Sequence, residues 1–449
     1  MEELKSFLAS STFRQFHQQG AIVNTEFPNE DAALALFSYR ESGKTFSDFG
    51  DFTLAEHEKI PFQNFPYEWS PGMLYEAAHL TLDLAESLLA EGMGLKDATP
   101  YNILFRATQP VFVDVLSFEN RQANDPIWMA LAQFERTFLL PLLTNKYFGI
   151  ALEQLLTTRR EGLEPEEVYK LCRTLQKLRP PFLTCVSIPT WLGRRHHQDD
   201  VTIYQKQMLN NPEKARFILE TSFKRLRKVL VKLKPASNQK STWSDYLDAN
   251  NNYTQEHFQT KEQFVREVVE TSHPRKVLDV GCNTGHFSAI AARAGASVVA
   301  IDYDPVVVDQ TLVRAKAEHL DILPLVVNLT RPTPAMGWRN HECPSFLERA
   351  KGKFDTVLML AVIHHMLVTE RIPLAEILQL AAELCTEQLI VEFIAPADSM
   401  FRRLMRGREH LFSYLTREFF EETCKRHFAI SGSQHLDGTH RWLYWLRKK

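Results

Sequence analysis

"VLDVGCNTGHFS", residues 277–288, decides the fold of the C-terminal half of this chain. An apolar run with β-branched residues ends in an acid, Asp279. A loop of small residues follows, and "GHFSAIAARAG" then reads as a helix. Small residues at a strand-to-helix turn let backbone N–H groups approach a ligand at the helix N-terminus. The glycines are Gly281 and Gly285, which gives D-x-G-x-x-x-G rather than the G-x-G-x-x-G of a dinucleotide loop. Asn283 stands between them, and asparagine is one of the few non-glycine residues that accept a left-handed backbone.

Working outward, the same grammar repeats. "KVLDV", "SVVAID", "LPLVVN", "FDTVLML" and "QLIVEFI" read as strands, with helical segments between them. Such alternation predicts an α/β fold with a mostly parallel sheet covered by helices on both faces. "AISGSQHL" and "HRWLYWLR" are spaced to pair as a hairpin and add an antiparallel strand at or near the sheet edge.

Two further positions stand at the ends of the next two strands. Asp302 ends the second strand, 23 residues after Asp279, where a carboxylate can accept both hydroxyls of a ribose. An acid at a strand end is also a common helix cap, and Pro305 follows closely. Asn328, in "VVNLT", ends the third strand. The fourth strand runs into "MLAVIHHML", and open α/β sheets bind ligands outside the carboxyl ends of their strands. His364 and His365 are therefore candidates for a general base or for orienting a nucleophile, with His365 slightly favoured.

The loop resembles motif I of class I S-adenosylmethionine-dependent methyltransferases, in which it holds the methionine moiety of the cofactor. "DVGCNTGHFS", "LAVIHHM" and "LIVEFIAPADSMFRRLM", with "PYEWSPGMLYEAAHLTLDLAESLLAEGMGLKDATPYNILF" and "PVFVDVLSFE" upstream, resemble a bacterial group related to nodulation-associated methyltransferases. The resemblance implies a Rossmann-like domain binding S-adenosylmethionine through Asp279, Gly281, Asn283, Gly285, Asp302 and Asn328. Asn328 occupies the place where that family often bonds the adenine amino group. In "EFIAPADSM", either Glu392 or Asp398 can face an acceptor or serve as a surface cap.

The N-terminal half reads differently. Residues 1–235 are expected to form a mainly helical α+β domain, and residues 236–449 the methyltransferase domain. The boundary falls in "KLKPASNQKSTWSDY", residues 232–246. It follows the basic helix "FILETSFKRLRKVLVKL", whose Phe223, Leu226, Val229, Leu230 and Leu233 recur at helical spacing. A solvated face is the usual reading of such a helix, with a nucleic-acid or lipid contact as the alternative.

"LKDATPYNILF" and "DVLSFE" place Asp97, Asn102 and Asp114 in the order and spacing of a kinase C-lobe. No glycine-rich loop and no lysine-on-strand motif precede them; Lys44 in "ESGKTF" is a candidate phosphate contact, though a lysine in a polar loop is usually just solvated. Three readings stand. The domain is a degenerate kinase-like C-lobe serving acceptor recognition, an active phosphotransferase with a nucleotide site at those three residues, or an unrelated fold in which Asp97 and Asn102 cap a turn.

The bulk numbers exclude several classes. With 449 residues, 44% hydrophobic and 24% charged, the chain has material for two globular cores. A formal charge of −3 gives no general reason to bind nucleic acid. Six scattered cysteines without a C-x-x-C pair suggest neither disulfides nor a metal site. No apolar run reaches the ~18 residues of a spanning helix, and neither a secretory signal nor a location outside the cytoplasm is expected. The expected activity is methyl transfer to a small molecule or to a sugar or lipid precursor. The alternatives are a bifunctional enzyme or a cofactor-binding regulatory protein without turnover. The sequence names neither the methylated atom nor the oligomeric state.

Overall fold

The structure is a computed structural model that describes residues 2–28, 54–193, 208–236, 241 and 254–449. Lys44 and most of the stretch 232–246 lie outside the described residues. The chain divides into two compact units, residues 1–66 with 74–235, and residues 67–73 with 236–449. Among the described residues no helix is long and apolar enough to cross a membrane.

The first unit is mainly helical with short two-stranded ribbons. Ile103–Arg106 pairs antiparallel with Gln109–Phe112, and Met93–Leu95 with Phe118–Asn120. The basic helix runs Pro212–Leu233, started by Asn211, whose side chain accepts from the N–H of Glu213 at 2.9 Å and of Lys214 at 3.1 Å. Its expected apolar stripe, Phe223, Leu226, Val229, Leu230 and Leu233, is buried. Two of its arginines are engaged within the unit: Arg225 with Glu135 at 2.8 Å, and Arg227 with Glu86 at 2.9 Å and with Asp83. This part of the basic face is balanced by acids.

The second unit is built on a seven-stranded sheet. Its elements are α1 (Gln255–Ser272), β1 (Lys276–Val280), α2 (His286–Arg293), β2 (Ser297–Asp302), α3 (Pro305–Ala317) and β3 (Ile322–Val326). Then come α4 (Phe346–Ala350), β4 (Phe354–Met359), α5 (Ile363–Val368), α6 (Leu374–Leu384), β5 (Cys385–Ile394), α7 (Ser399–Met405), α8 (Arg417–Cys424), β6 (Phe428–His435) and β7 (Arg441–Lys448). The strand order is β6-β7-β5-β4-β1-β2-β3. Strands β1 to β5 pair in parallel, β7 runs antiparallel to β5, and β6 closes the edge antiparallel to β7. The near-continuous apolar sequences of β1, β2 and β3 follow from burial on both sheet faces.

The segment 67–73 falls in this unit although the sequence placed it with the N-terminal half. Glu68 is fully buried, accepts from Thr333 Oγ1 at 2.5 Å and pairs with Arg349. Asp309 of α3 accepts from the Gly72 N–H at 3.0 Å, and burial pushes its carboxyl up to about 6. None of these partners lies within 200 residues of 67–73 in sequence, so local pattern gave no sign of them.

Candidate functional site

Three left-handed residues shape the loop between β1 and α2: Gly281 at φ 68°, Asn283 at φ 49° and Gly285 at φ 73°. A Cβ on Gly281 would lie 2.5 Å from Val362 Cγ2, and one on Gly285 would lie 2.6 Å from Thr311 Cγ2. Both glycines are thus required twice over, by torsion and by space. Asn283 stabilises its own turn, since its Oδ1 accepts from the Thr284 N–H at 2.7 Å. Its carbonyl accepts from Thr311 Oγ1 at 3.0 Å.

The two acids flank this loop and have different surroundings. Asp279 is buried and accepts from Ser288 Oγ at 2.6 Å; burial pushes its carboxyl up to about 6. Asp302 accepts the Asn283 N–H through Oδ2 and the Asp304 N–H through Oδ1, each at 3.0 Å. Burial raises it to about 6, against the lowering effect of those backbone bonds. The cap that Pro305 hinted at is Asp304, which accepts from the Val306 N–H at 2.9 Å. Asp302 is therefore not spent on the helix, and it faces the cleft.

That cleft encloses about 410 Å³, within the range of small-ligand sites. Asp279, Gly281, Asn283, Asp302, Asn328 and His365 all line it. Gly285 and His364 do not. Asn328 accepts from both the N–H and the hydroxyl of Thr330 through Oδ1, at 3.0 and 2.6 Å. A backbone donor on that oxygen fixes the amide orientation and turns the Nδ2 group to other partners.

The paired histidines separate by position. His365 is on the cleft wall, and burial holds its imidazole down to about 4. His364 is buried, its ring centroid 4.1 Å from that of His365, and its Nδ1 has no hydrogen-bond partner among the described residues. Burial and the neighbouring His365 keep it neutral well below the usual range.

Sequence reasoning missed Lys261. It lies in α1, lines the cleft, and donates to Glu392 Oε2 at 2.6 Å with both side chains buried. Arg441 stands 3.7 Å from Glu392 Oε1 and binds Asp398 through two bonds of 2.8 and 3.1 Å. Glu392 and Asp398 are thus members of a buried charge network. Asp398 also caps α7 through the Met400 N–H. The signal was present: Lys261 occupies the apolar stripe of α1 with Val265, Val268 and Val269.

In the first unit, Asp97 is exposed. Asn102 donates to Ser117 Oγ at 3.0 Å, and Ser117 donates to Asp114 Oδ2 at 2.6 Å. The other oxygen of Asp114 accepts from the Leu116 N–H and starts a helical turn. Asn102 and Asp114 are joined through a serine, and Asp97 makes no part of that chain. Among the described residues no cluster of three or more His, Cys, Asp or Glu has the arrangement of a metal site.

Residues 244–444 match the family described as "Methyltransferase domain". The nodulation protein NoeA of Rhizobium meliloti (strain 1021) is 31% identical over 391 residues, covering 87% of this chain and 80% of its own length. Among solved structures, the PH0226 protein from Pyrococcus horikoshii OT3 is 17% identical over 46% of this chain and 97% of its own, with a TM-score of 0.33. The N-methyltransferase NodS from Bradyrhizobium japonicum WM9, in complex with S-adenosyl-L-homocysteine, is 13% identical over 46% and 96%, with a TM-score of 0.33.

Proposed function

The chain belongs to the nodulation-associated methyltransferase family and is an S-adenosylmethionine-dependent enzyme, and from that premise we propose that it methylates a small molecule or a sugar or lipid precursor in the cleft at the carboxyl ends of β1 to β4. The observation that carries this reading is the convergence of the left-handed loop, Asp302, Asn328 and His365 on one cavity of small-ligand size. The residues suit the cofactor. Asp302 offers two carboxylate oxygens to the ribose hydroxyls while its bonds to Asn283 and Asp304 hold it still. Asn328 presents Nδ2, a donor, and so suits a ring nitrogen of the adenine better than its amino group. Lys261 and the loop from Gly281 to Gly285 suit the methionine moiety.

Bound S-adenosylmethionine supplies an electrophilic methyl group on a sulfonium. The protein's own contribution is alignment, which lowers the barrier of an in-line displacement without a protein nucleophile. His365, neutral at physiological pH, accepts a hydrogen bond from the acceptor and orients it. The first unit recruits the acceptor, with Asn102 and Asp114 serving its local structure.

Three measurements bear on this. Incubating the full chain with radiolabelled S-adenosylmethionine and a cell extract is expected to label the dialysable or lipid fraction; label confined to protein or nucleic acid would overturn the acceptor class. Gly281→Ala is expected to weaken S-adenosylhomocysteine binding about tenfold, the scale of one left-handed alanine before any clash is counted. Adding Val362→Ala removes the methyl that the new Cβ strikes and should recover part of that loss by calorimetry. His365→Ala is expected to lower kcat about ten- to a hundredfold at unchanged cofactor affinity, as a lost alignment does. At saturating cofactor the wild-type kcat should show no imidazole limb near neutral pH, because His365 titrates at about 4. A limb near the ordinary histidine value that disappears in the variant would instead make His365 a true base.

A further inference from the structure

The cleft leaves one strongly charged surface of the same unit unexplained. Between Ser399 and Arg417 there are five arginines and a single acid, Glu409. Arg408 donates to the carbonyls of Met405 and Leu404 at 2.9 and 3.3 Å and closes the end of α7. Arg417 pairs with Glu421 at 2.8 Å. The remaining three, Arg402, Arg403 and Arg406, are exposed, and their guanidiniums make no hydrogen bond or ion pair among the described residues.

The placement of this cluster is fixed from behind. Phe401 and Met405 are buried on the inner face of α7, which packs against α5, the helix that carries both histidines. The Phe401 ring lies 6.3 Å from that of His364 and 5.8 Å from that of Phe412. At the start of the helix, Asp398 is clamped by Arg441, which also faces Glu392, the partner of Lys261 on the cleft wall. The helix bearing the three arginines is therefore tied to the cleft through a continuous buried network. It follows β5 as α5 follows β4, so both stand at the carboxyl ends of the strands, where open α/β sheets take their ligands.

At the end of the helix, Arg406 takes a left-handed backbone at φ 50°. A non-glycine residue held there costs about 1–2 kcal/mol, so this position is not one where an arginine is the easy choice. Its N–H still reaches the Arg402 carbonyl at 3.2 Å, which places Arg402 and Arg406 one turn apart. Planar guanidiniums one turn apart match the paired oxygens of a phosphate or carboxylate better than they match any neutral group. Exposed Leu411 and Tyr414 follow directly and offer apolar contact beside the charge.

We propose that Arg402, Arg403 and Arg406 bind an oxyanion carried by the methyl acceptor, so that the substrates of this enzyme are phosphorylated or carboxylated molecules. The proposal rests on the reading of the cleft as the methyl-transfer site. It is tested with the full chain saturated with S-adenosylhomocysteine, titrated calorimetrically at low ionic strength with glucose 1-phosphate, glucuronate and glucose. Either anion should bind and glucose should not; which of the two binds tells phosphate from carboxylate. The double variant Arg402→Gln/Arg406→Gln should weaken the anion at least about tenfold, as loss of charge-assisted bonds does, and leave S-adenosylhomocysteine affinity unchanged. Glucose binding as tightly as its phosphate, no anion binding, or equal anion affinity in the variant would each overturn the proposal. Should S-adenosylhomocysteine itself not bind, the methyl-transfer reading fails separately, and the same anion titrations on the chain alone still judge the arginine site.

Discussion

Replacing Asp302 by alanine is expected to weaken S-adenosylhomocysteine binding by about a hundredfold or more. Hydrogen bonds to a charged group contribute about 1.5–3 kcal/mol each, and in the proposed site the carboxylate offers one to each ribose hydroxyl. The variant also releases the loop, because Asp302 holds the Asn283 and Asp304 N–H groups. Titration calorimetry checks this directly, and a loss smaller than threefold would show that the ribose lies elsewhere.

The same side chain gives the binding a pH dependence. Burial raises Asp302 to about 6, and only the ionised form accepts both hydroxyls. Wild-type affinity should therefore fall as the pH drops through about 6, and the variant should lose that dependence. For folding the sign is opposite. A carboxyl raised in the folded state contributes stability that is present at low pH and lost as the pH rises through about 6. Thermal melts of the ligand-free proteins should accordingly shift in favour of Asp302→Ala, relative to wild type, as the pH rises from about 5 to about 8.

What the sequence disclosed and what it hid follow the range of the interactions. The loop 281–285 was legible because its demands are local: positive φ at fixed spacing, met by two glycines and an asparagine. Asp302 read equally as a cap or a ligand holder, and the cap of the following helix is its neighbour Asp304. His364 and His365 are adjacent in sequence, yet successive residues on a helix point about 100° apart, so only one reaches the cleft. The strands β1 to β5 and their parallel pairing could be read from alternation, but their order in the sheet could not. By contrast, Glu68 meets Arg349 across 281 residues, and no periodicity announces such a pair. Lys261 falls between these extremes: its place in an apolar stripe was visible, but its partner lies 131 residues away.

That partnership carries the largest expected effect on stability. Glu392→Ala should destabilise the protein by about 3–5 kcal/mol, the usual cost of leaving buried charge without its counterpart. Two cations face Glu392, Lys261 at 2.6 Å and Arg441 at 3.7 Å, and all three side chains are at most 5% exposed. Arg441 keeps its two bonds to Asp398 in the variant, so the burden falls mainly on Lys261. Removing that second charge should then restore most of the loss, and Lys261→Met/Glu392→Leu is expected to melt closer to wild type than Glu392→Ala does. A double-mutant cycle by denaturant unfolding measures the coupling. If Glu392→Ala costs under about 1 kcal/mol, water reaches the pair and the network is not a buried one. If the double variant is stable yet binds S-adenosylhomocysteine weakly, the pair is retained for the ligand: Glu392 keeps an otherwise costly ammonium on the cleft wall, where the cofactor's own carboxylate can meet it.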